Sequence, residues 1–237
     1  MGTTDLNEYS ARIQFYTGEV PGLLIKGLET NTWTNVIDFG CGDGAILHAM
    51  DAVGLLDEKE VYALDGSNER LKAVHLINEK FNCIVSDVCD SKLEDNSIDV
   101  TISTQVIEHV EDDAAMAREM HRVTKPGGIM YLTTVFKKSY GWYFYRCNGK
   151  WALDPTHLRE YSTDAQLVNI LIAAGFDVLV NKKSIESRSV IDALMRRIGR
   201  RLGVGRSVYN SGMLRRVRKI KVPIPGYYHW ELLCQKR

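Results

Sequence analysis

Short apolar segments alternate with longer amphipathic segments along most of the 237-residue chain, and this alternation strongly limits the possible folds. The short segments are typical of strands, and the segments between them have helical spacing. Strands separated by helices form parallel sheets with right-handed crossovers. The sequence therefore predicts an α/β fold with a doubly wound sheet of seven strands, at residues 36–39, 61–65, 83–87, 98–104, 128–134, 176–184 and 229–236.

The composition excludes several other classes of protein. Hydrophobic residues make up 45% and charged residues 25% of the chain, a balance that is typical of globular proteins and not of disordered ones. No apolar run reaches the roughly 18 residues of a membrane span, and the N-terminus does not have the pattern of a signal peptide. The five cysteines form no CxxC pair, which favours reduced thiols in a cytoplasmic protein and no metal site.

Two segments exceed what a minimal sheet of this kind needs. Residues 135–162 are rich in aromatic side chains, and residues 185–227 are basic with a mostly helical pattern. Both connect strands late in the chain, so we expect them to lie near one another. We interpret them as a substrate cap within a single domain, residues 1–237.

A glycine-rich turn follows the first predicted strand. In VIDFGCGDG, residues 36–44, the strand carries Asp38 near its end, and Gly40, Gly42 and Gly44 form a turn that opens onto a helix. Glycine adopts positive φ and lets the backbone approach a ligand closely, and a helix start offers free N–H groups. Taken alone, this turn is equally consistent with an ordinary connection between a strand and a helix.

Acidic residues end the next two predicted strands. Asp65 closes the second strand, 21 residues after Gly44, where a carboxylate can accept hydrogen bonds from both hydroxyls of a ribose. Asp87 closes the third strand and can accept a hydrogen bond from an adenine amino group. Because ligands of open α/β sheets bind outside the carboxyl ends of the strands, these acids and Asp38 indicate one shared ligand site.

Five motifs along the chain resemble those of the class I methyltransferases that use S-adenosylmethionine (SAM). They are DFGCGDG, ALDGS, SDV, NSIDVTISTQVIEHVEDD and EMHRVTKPGGIMYLTT, and they span about residues 35–135. They are especially similar to the small-molecule branch, methyltransferase types 11 and 23, which includes enzymes of ubiquinone and menaquinone biosynthesis. As a set, the motifs are specific for the cofactor and say little about the acceptor.

The resemblance implies a Rossmann-like, mostly parallel sheet whose last strand is antiparallel. It also implies a cofactor-binding set at the carboxyl edge: Asp38, Gly40 and Gly42 at the methionine part, Asp65 and Gly66 at the ribose, Asp87 and Val88 at the adenine, and Gln105 at the amino-acid end. Residues 1–34, including Tyr9 and Arg12, would form a helical lid over the cofactor.

A dinucleotide-dependent dehydrogenase is the main alternative, because it also uses a glycine turn followed by an acid. The dinucleotide fingerprint is GxGxxG, with a pyrophosphate at the helix start. Here the glycines are spaced GxGxG, and the carboxylate of Asp38 would repel a phosphate. A carboxylate suits a cofactor that carries an ammonium and a sulfonium group, so the sequence favours SAM.

Methyl transfer from a sulfonium mainly requires alignment of the reacting atoms in a water-poor pocket. A general base is needed where the acceptor must lose a proton, as a hydroxyl does. The candidate catalytic residues are Glu108 and His109, in QVIEHV after the fourth strand, and His157, in DPTHLREYS. Each also has a structural alternative, as a helix-start carboxylate, a packed imidazole or an anchor of a polar loop.

The segment SYGWYFYRCNGKW, residues 139–151, is dense in aromatic side chains. Aromatic faces can stack on a planar or sugar acceptor, or contact a sulfonium by cation–π attraction. A hairpin that packs its own small core is the alternative. The candidate acceptor-binding residues are Tyr140, Trp142, Tyr143 and, from the loop after His157, Arg159.

The chain has no net charge at pH 7, but residues 182–221 contain thirteen Lys or Arg and two acids, a local charge of +11. In LMRRIGRRL the arginines lie at helical spacing opposite apolar residues, which predicts an amphipathic basic helix. Such a helix suits an anionic ligand, an anionic membrane surface or nucleic acid, and it can also be a solvated face. Arg196–Lys221 is therefore the candidate contact for an anionic ligand or a peripheral membrane surface.

Nucleic acid is a less favoured acceptor class. STQVIEH stands where base-directed amino methyltransferases carry an (Asn/Asp)-Pro-Pro-aromatic motif, and no Pro-Cys nucleophile is present. The sequence favours O- or N-methylation of a small-molecule or glycan-like acceptor, which can be anionic or linked to a lipid or nucleotide. An RNA methyltransferase and a non-catalytic SAM-binding module stay open as alternatives.

Overall fold

The computed structural model describes residues 19–30, 32–143, 145–147, 149–189 and 221–237. Tyr9 and Arg12 of the predicted lid lie outside the described residues, and so do residues 190–220, which contain most of the basic segment. None of the described helices is long and apolar enough to cross a bilayer.

Helices and strands alternate as the sequence predicts. The described helices are α1 (Gly22–Glu29), α2 (Ala45–Asp51), α3 (Asn68–His75), α4 (Asp113–Val123) and α5 (Asp164–Ala174), with a short 3₁₀ turn at Ile107–His109. The described strands are β1 (Asn35–Phe39), β2 (Glu60–Asp65), β3 (Asn82–Val85), β4 (Ile98–Thr104), β5 (Thr124–Lys137), β6 (Tyr145–Cys147), β7 (Lys150–Ala152), β8 (Phe176–Ser189) and β9 (Lys221–Lys236).

The main sheet has seven strands in the order β3-β2-β1-β4-β5-β9-β8. The pairs β1–β2, β1–β4, β2–β3 and β4–β5 are parallel, whereas β9 is antiparallel to both β5 and β8. The predicted α/β fold, with a mostly parallel sheet and an antiparallel last strand, is therefore confirmed.

Helices cover both faces of this sheet. Leu47 of α2 and Val74 of α3 pack into one hydrophobic core, on one face of the sheet. Met120 of α4 and Leu171 of α5 pack into a second core, together with Trp230 of β9. Burial on both faces is the doubly wound arrangement, and it leaves the ends of the parallel strands as the place for a ligand.

The ends of α5 follow from local sequence chemistry. Thr163 and Gln166 form a reciprocal capping box at the N-terminus, and Gly175, with φ of 110°, ends the helix in the left-handed region. Such stops give the following strand a fixed starting point, so β8 begins at Phe176 as the sequence predicts.

Three strands are longer than predicted, and this corrects the bounds of both insertions. β9 pairs with β5 from Ile129↔Gln235 to Lys137↔Tyr227, and with β8 as far as Ser189↔Lys221. Residues 135–137, 185–189 and 221–227 therefore belong to strands of the sheet and not to an aromatic or helical insertion. The physical reason is that each extension pairs the backbone groups of its neighbour, which the helical pattern in the sequence does not reveal.

The segments 135–162 and 185–227 contact each other in their described parts, partly through these strand extensions. Val135, Leu153, Ile224 and Tyr227 form a small hydrophobic cluster, and Tyr143 packs against it. The guanidinium of Arg188 lies 5.6 Å from the ring of Tyr143. The small antiparallel hairpin β6–β7 lies in the first of these insertions.

Helix α1 packs on the face of the sheet, which corrects part of the predicted lid. Leu23, Leu24 and Leu28 of this helix are buried in the first hydrophobic core. A Cβ atom added to Gly27 would lie 2.7 Å from Leu233 Cδ1 and 3.1 Å from Ile129 Cδ1. The apolar side of α1 therefore holds this helix against β5 and β9. A lid role stays a prediction for residues 1–18 alone.

Replacing Gly27 by leucine tests this close packing. Leucine is a good helix former, but at this position it would overpack a buried contact, and we expect a loss of about 2 kcal/mol in the free energy of unfolding. Gly22→Leu is the matched control, because nothing lies within 4 Å of a Cβ atom at Gly22. Urea unfolding of both variants measures the difference, and equal effects would contradict the packing described.

Candidate functional site

Three carboxylates lie at the carboxyl edge of three neighbouring strands. Asp38 is in β1, in register with Ala63 of β2 and Ile102 of β4. Asp65 is the last residue of β2, and Asp87 follows β3, which ends two residues earlier than predicted, at Val85. The topology therefore places the three acids at one edge of the sheet, as the sequence predicts.

The glycine bend joins β1 to α2 at this edge. Gly40 and Gly42 have φ of 72° and 55°, values that favour glycine. The amides of Gly40 and Cys41 both donate to the carbonyl oxygen of Leu64, at 2.7 and 2.9 Å. These bonds hold the bend against the end of β2.

Asp65 fastens the same bend from the other side. Its Oδ2 accepts a hydrogen bond from the Gly42 amide at 3.0 Å, and its Oδ1 accepts one from the Ser67 amide at 2.8 Å. Arg70 Nη1 lies 4.0 Å from Oδ2. Next to it, Gly66 is exposed, and no heavy atom lies within 4 Å of where a Cβ would be. The edge of β2 therefore presents a held carboxylate beside open space.

Asp38 is fully buried, and neither of its carboxylate oxygens has a hydrogen-bond partner among the described residues. Burial, with a smaller effect of the nearby Asp65 carboxylate, raises the pKa of Asp38 to about 8. An unpartnered buried carboxylate is costly to a folded protein unless a cation or a donor meets it. This carboxylate therefore suits a cationic ligand at the glycine bend.

Asp87 and Val88 lie at the rim of the same edge. Asp87 is exposed, and its Oδ1 accepts a hydrogen bond from the Cys89 amide at 2.8 Å. Val88 is half-buried and packs against the second hydrophobic core. This pairing of an apolar side chain with an exposed acceptor is compatible with the adenine position that the sequence suggests.

The segment after β4 packs directly on the glycine bend. Gln105 has φ of 58°, which is unusual for a residue other than glycine, and its amide donates to the Thr133 carbonyl at 3.0 Å. A Cβ atom on Gly40 would lie 2.7 Å from a methyl group of Val106. A glycine is required at position 40 because of this contact as well as its φ.

Glu108, His109 and His157 come together just beyond this contact. One ligand atom from each of the three residues lies within 4.8 Å of the others. The imidazole rings of His109 and His157 meet edge to face, with centroids 4.8 Å apart. The amide of Leu158 donates to the Glu108 carbonyl at 2.9 Å, so the two segments are also joined through their backbones.

Glu108 is fully buried at the centre of this group. Its Oε2 accepts a hydrogen bond from Thr134 Oγ1 at 2.8 Å, whereas Oε1 has no partner among the described residues. Burial raises the pKa of Glu108 to about 7, although the nearby His157 opposes the shift. Near neutral pH the Glu108 carboxylate can therefore take up a proton or pair with a cation.

Glu160 holds His157 from behind. Its Oε1 lies 2.9 Å from His157 Nδ1, and its Oε2 lies 3.4 Å from Lys137 Nζ and 3.3 Å from the Tyr227 hydroxyl. Burial alone would raise the pKa of Glu160, but the bonds from His157 and the Leu153 amide, together with Lys137, lower it. Glu160 is therefore an anion that orients the imidazole.

Arg159 lies beside the cluster but is engaged with the protein itself. Its guanidinium donates to the carbonyl oxygens of Ile107, Val110 and Glu111, and its Nε lies 3.5 Å from Asp113 Oδ2. Those contacts clamp the turn after β4 onto the loop that carries His157. They support a positioning role for Arg159, and its contact with the acceptor stays a prediction.

The three aromatic candidates do not share one environment. Tyr140 is 65% exposed and Trp142 43% exposed, whereas Tyr143 packs against the small cluster around Tyr227. Trp142 also meets Trp151 edge to face, with ring centroids 5.8 Å apart. Both expected arrangements are therefore present, since the hairpin has its own core and also leaves aromatic faces in solvent.

Two residues of the site were missed in the sequence, Thr134 and Glu160. Thr134 ends the apolar run GIMYLTT, and a hydroxyl at the carboxyl end of a strand was a signal that it faces the site. Glu160 lies three residues after His157, a spacing at which the two side chains can meet. Neither signal is specific without the fold.

Comparison with known proteins agrees with this geometry. Residues 37–132 match the family described as "Methyltransferase domain". A protein of Mycobacterium tuberculosis named "Probable S-adenosylmethionine-dependent methyltransferase" is 28% identical over 145 residues, which cover 61% of this chain and 49% of that protein. A ubiquinone biosynthesis O-methyltransferase of Neisseria meningitidis is 27% identical over 157 residues, covering 62% and 65%.

The chain thus spans about half the length of the mycobacterial relative. Among solved structures, a SAM-dependent methyltransferase from Methanosarcina mazei superposes with a TM-score of 0.62 at 15% identity, over 92% of this chain and 98% of that one. At such identity the likeness shows the fold. Residues 37–132 are thus similar to a methyltransferase domain, and the chain shares the fold of the superposed methyltransferase.

The pKa of Asp38 makes the stability of the cofactor-free protein depend on pH. The folded state holds a proton on Asp38 up to about pH 8, whereas the unfolded chain releases it near 3.8. We therefore expect the free energy of unfolding to fall as pH rises between these values, by up to about 1 kcal/mol per pH unit.

Asp38→Asn should remove that part of the slope, and urea unfolding at pH 5, 6, 7 and 8 measures it. Asp87→Asn, an exposed carboxylate at the same edge, is the control and should keep the slope of the parent. Parallel slopes for the parent and Asp38→Asn would contradict the burial of an unpaired carboxylate.

Proposed function

We propose that this chain transfers the methyl group of SAM to an oxygen or nitrogen atom of a small molecule, since residues 37–132 match a methyltransferase domain. The observation that carries the proposal is Asp38, a buried carboxylate without a partner among the described residues, beside the glycine bend. A ligand that combines an ammonium with a sulfonium group would meet this carboxylate. A pyrophosphate would not.

The residues at the edge fit such a cofactor one by one. Asp38 with Gly40 and Gly42 would hold its methionine part. Asp65 would accept from the ribose hydroxyls into the open space at Gly66, where no atom lies within 4 Å of a Cβ position. The rim residues Asp87 and Val88 would then face the adenine. Gln105, fixed by two contacts to Thr133, would lie near the amino-acid end.

When bound, SAM supplies an electrophilic methyl group on a sulfonium. The chain must then hold an acceptor in line with that methyl group and keep water away. Glu108 and His157 are almost completely buried, so these two side chains are held away from bulk water. Glu108, His109 and His157 would lie at the acceptor and assist the loss of a proton from its hydroxyl group.

A small-molecule acceptor is supported by the Neisseria relative, an O-methyltransferase of ubiquinone biosynthesis. Tyr140 and Trp142 are exposed, and their rings would stack on a planar or glycan-like acceptor. Arg196–Lys221 would bind an acceptor that is anionic or linked to a lipid or nucleotide, or would contact a membrane surface. Almost all of this segment lies outside the described residues. A cytoplasmic location is part of the same proposal.

Two alternative functions stay open: methylation of RNA, and SAM binding without turnover. A fold alone does not decide between them. Transfer from methyl-labelled SAM to metabolite, glycan and RNA extracts separates all three, because the label appears in one fraction or in none.

We expect His157→Asn to lower turnover on the labelled acceptor about 100-fold or more, because the imidazole supports the acceptor's reacting atom. SAM affinity, measured by calorimetry, should stay within a few-fold of the parent. His75→Asn, on the exposed side of α3, is the control and should behave as the parent. Unchanged turnover would remove His157 from the reaction. Binding of NAD in place of SAM would overturn the proposed cofactor.

A further inference from the structure

Buried Glu108 and half-buried His109 meet buried His157, which lies about fifty positions later in the sequence. Ligand atoms of Glu108, His109 and His157 all lie within 4.8 Å of one another. Two ligands on one metal ion lie roughly 3–4 Å apart, since each bond is about 2.0–2.2 Å long. Small rotations of the side chains would therefore bring all three onto one ion.

Each histidine is held through Nδ1, in the way that metal ligands usually are. His157 Nδ1 lies 2.9 Å from the Glu160 carboxylate. His109 Nδ1 lies 3.1 Å from the carbonyl oxygen of Thr156. A carboxylate or carbonyl that accepts from one ring nitrogen fixes the imidazole so that the other nitrogen can bind a metal.

The carboxylate of Glu108 provides a second and independent indication that this cluster binds a cation. Its Oε2 is used by Thr134, at 2.8 Å, which fixes the orientation of the carboxylate. Its Oε1 is buried and has no partner within the part of the chain that the structure describes. Buried polar atoms normally have a partner, so an oriented carboxylate with one unused oxygen calls for a cation or donor at that point.

We infer that Glu108, His109 and His157 bind one divalent transition-metal ion at the acceptor end of the site. The inference rests on the proposed function for its role but not for its existence. The sequence predicted no metal site, because no spacing pattern links residues from the turn after β4 with a loop about fifty positions later.

The donor set narrows the choice of ion. Imidazole ligands suit Zn²⁺, Fe²⁺ and related ions, whereas Mg²⁺ prefers sites made of oxygen alone. Two histidines and one carboxylate occupy three positions and leave at least one for an outside ligand. The expected order of affinity is thus Zn²⁺ above Mn²⁺, with Mg²⁺ weakest.

The open position gives the ion a role in methyl transfer. An acceptor oxygen bound there would lose its proton to solvent more readily than a free hydroxyl, because the ion stabilises the anion. That oxygen would then form its bond to the methyl carbon as the carbon–sulfur bond of the cofactor breaks. Substrates with a hydroxyl group are therefore the acceptor class that this site favours.

The test is metal binding by the full chain after removal of metals with a chelator. Calorimetry with Zn²⁺, Mn²⁺ and Mg²⁺ should give one strong Zn²⁺ site per chain. Glu108→Gln and His157→Asn should each weaken Zn²⁺ binding at least 100-fold, and Glu160→Gln about 10-fold, since it only orients His157. His75→Asn, a surface histidine, should bind as the parent does.

A second readout needs no substitution. In imidazole ¹H–¹⁵N spectra of the parent, Zn²⁺ should shift two of the six histidines, and the Glu160 contact predicts binding through Nε2 of His157. No binding by the parent, shifts of other histidines, or equal affinity in Glu108→Gln would overturn the inference. SAM binding by the same samples is scored separately, so loss of the metal site and failure of the proposed cofactor are distinguishable.

Discussion

A buried carboxylate without a partner among the described residues, near the end of the inner strand β1, is the constraint around which this site is built. Asp38 has both oxygens buried and unpaired within the described residues, and β1 lies between β2 and β4. A folded protein tolerates such a group when a ligand supplies the missing charge. The glycine bend beside it gives that ligand access, because its backbone bends away on positive φ values.

The position of Glu108 and His109 depends on the glycine bend through one contact. Val106 packs where a side chain on Gly40 would be, which sets the position of the turn that carries Glu108 and His109. Arg159 then clamps this turn to the loop of His157 through carbonyl oxygens. The glycine bend and the cluster of Glu108, His109 and His157 are therefore parts of one connected structure.

The sequence predicted the sheet and its acidic edge because both depend on local patterns. Apolar periodicity located every strand of the main sheet, and Gly175 marked the end of α5 through its backbone conformation. The sequence did not predict that β9 begins at Lys221, because that extension exists only through pairing with β5 and β8. Thr134, Glu160 and the clamp formed by Arg159 likewise depend on contacts between distant segments.

Proton release on SAM binding tests the central claim most directly. The pKa of Asp38 is raised to about 8 without a ligand, so the carboxyl is mostly protonated at pH 7, and a cation beside it would favour ionisation. Calorimetry in phosphate and in Tris at pH 7 counts the protons released for each SAM bound. We expect close to one proton for the parent and almost none for Asp38→Asn. Equal release by the two proteins, or none by the parent, would contradict the account.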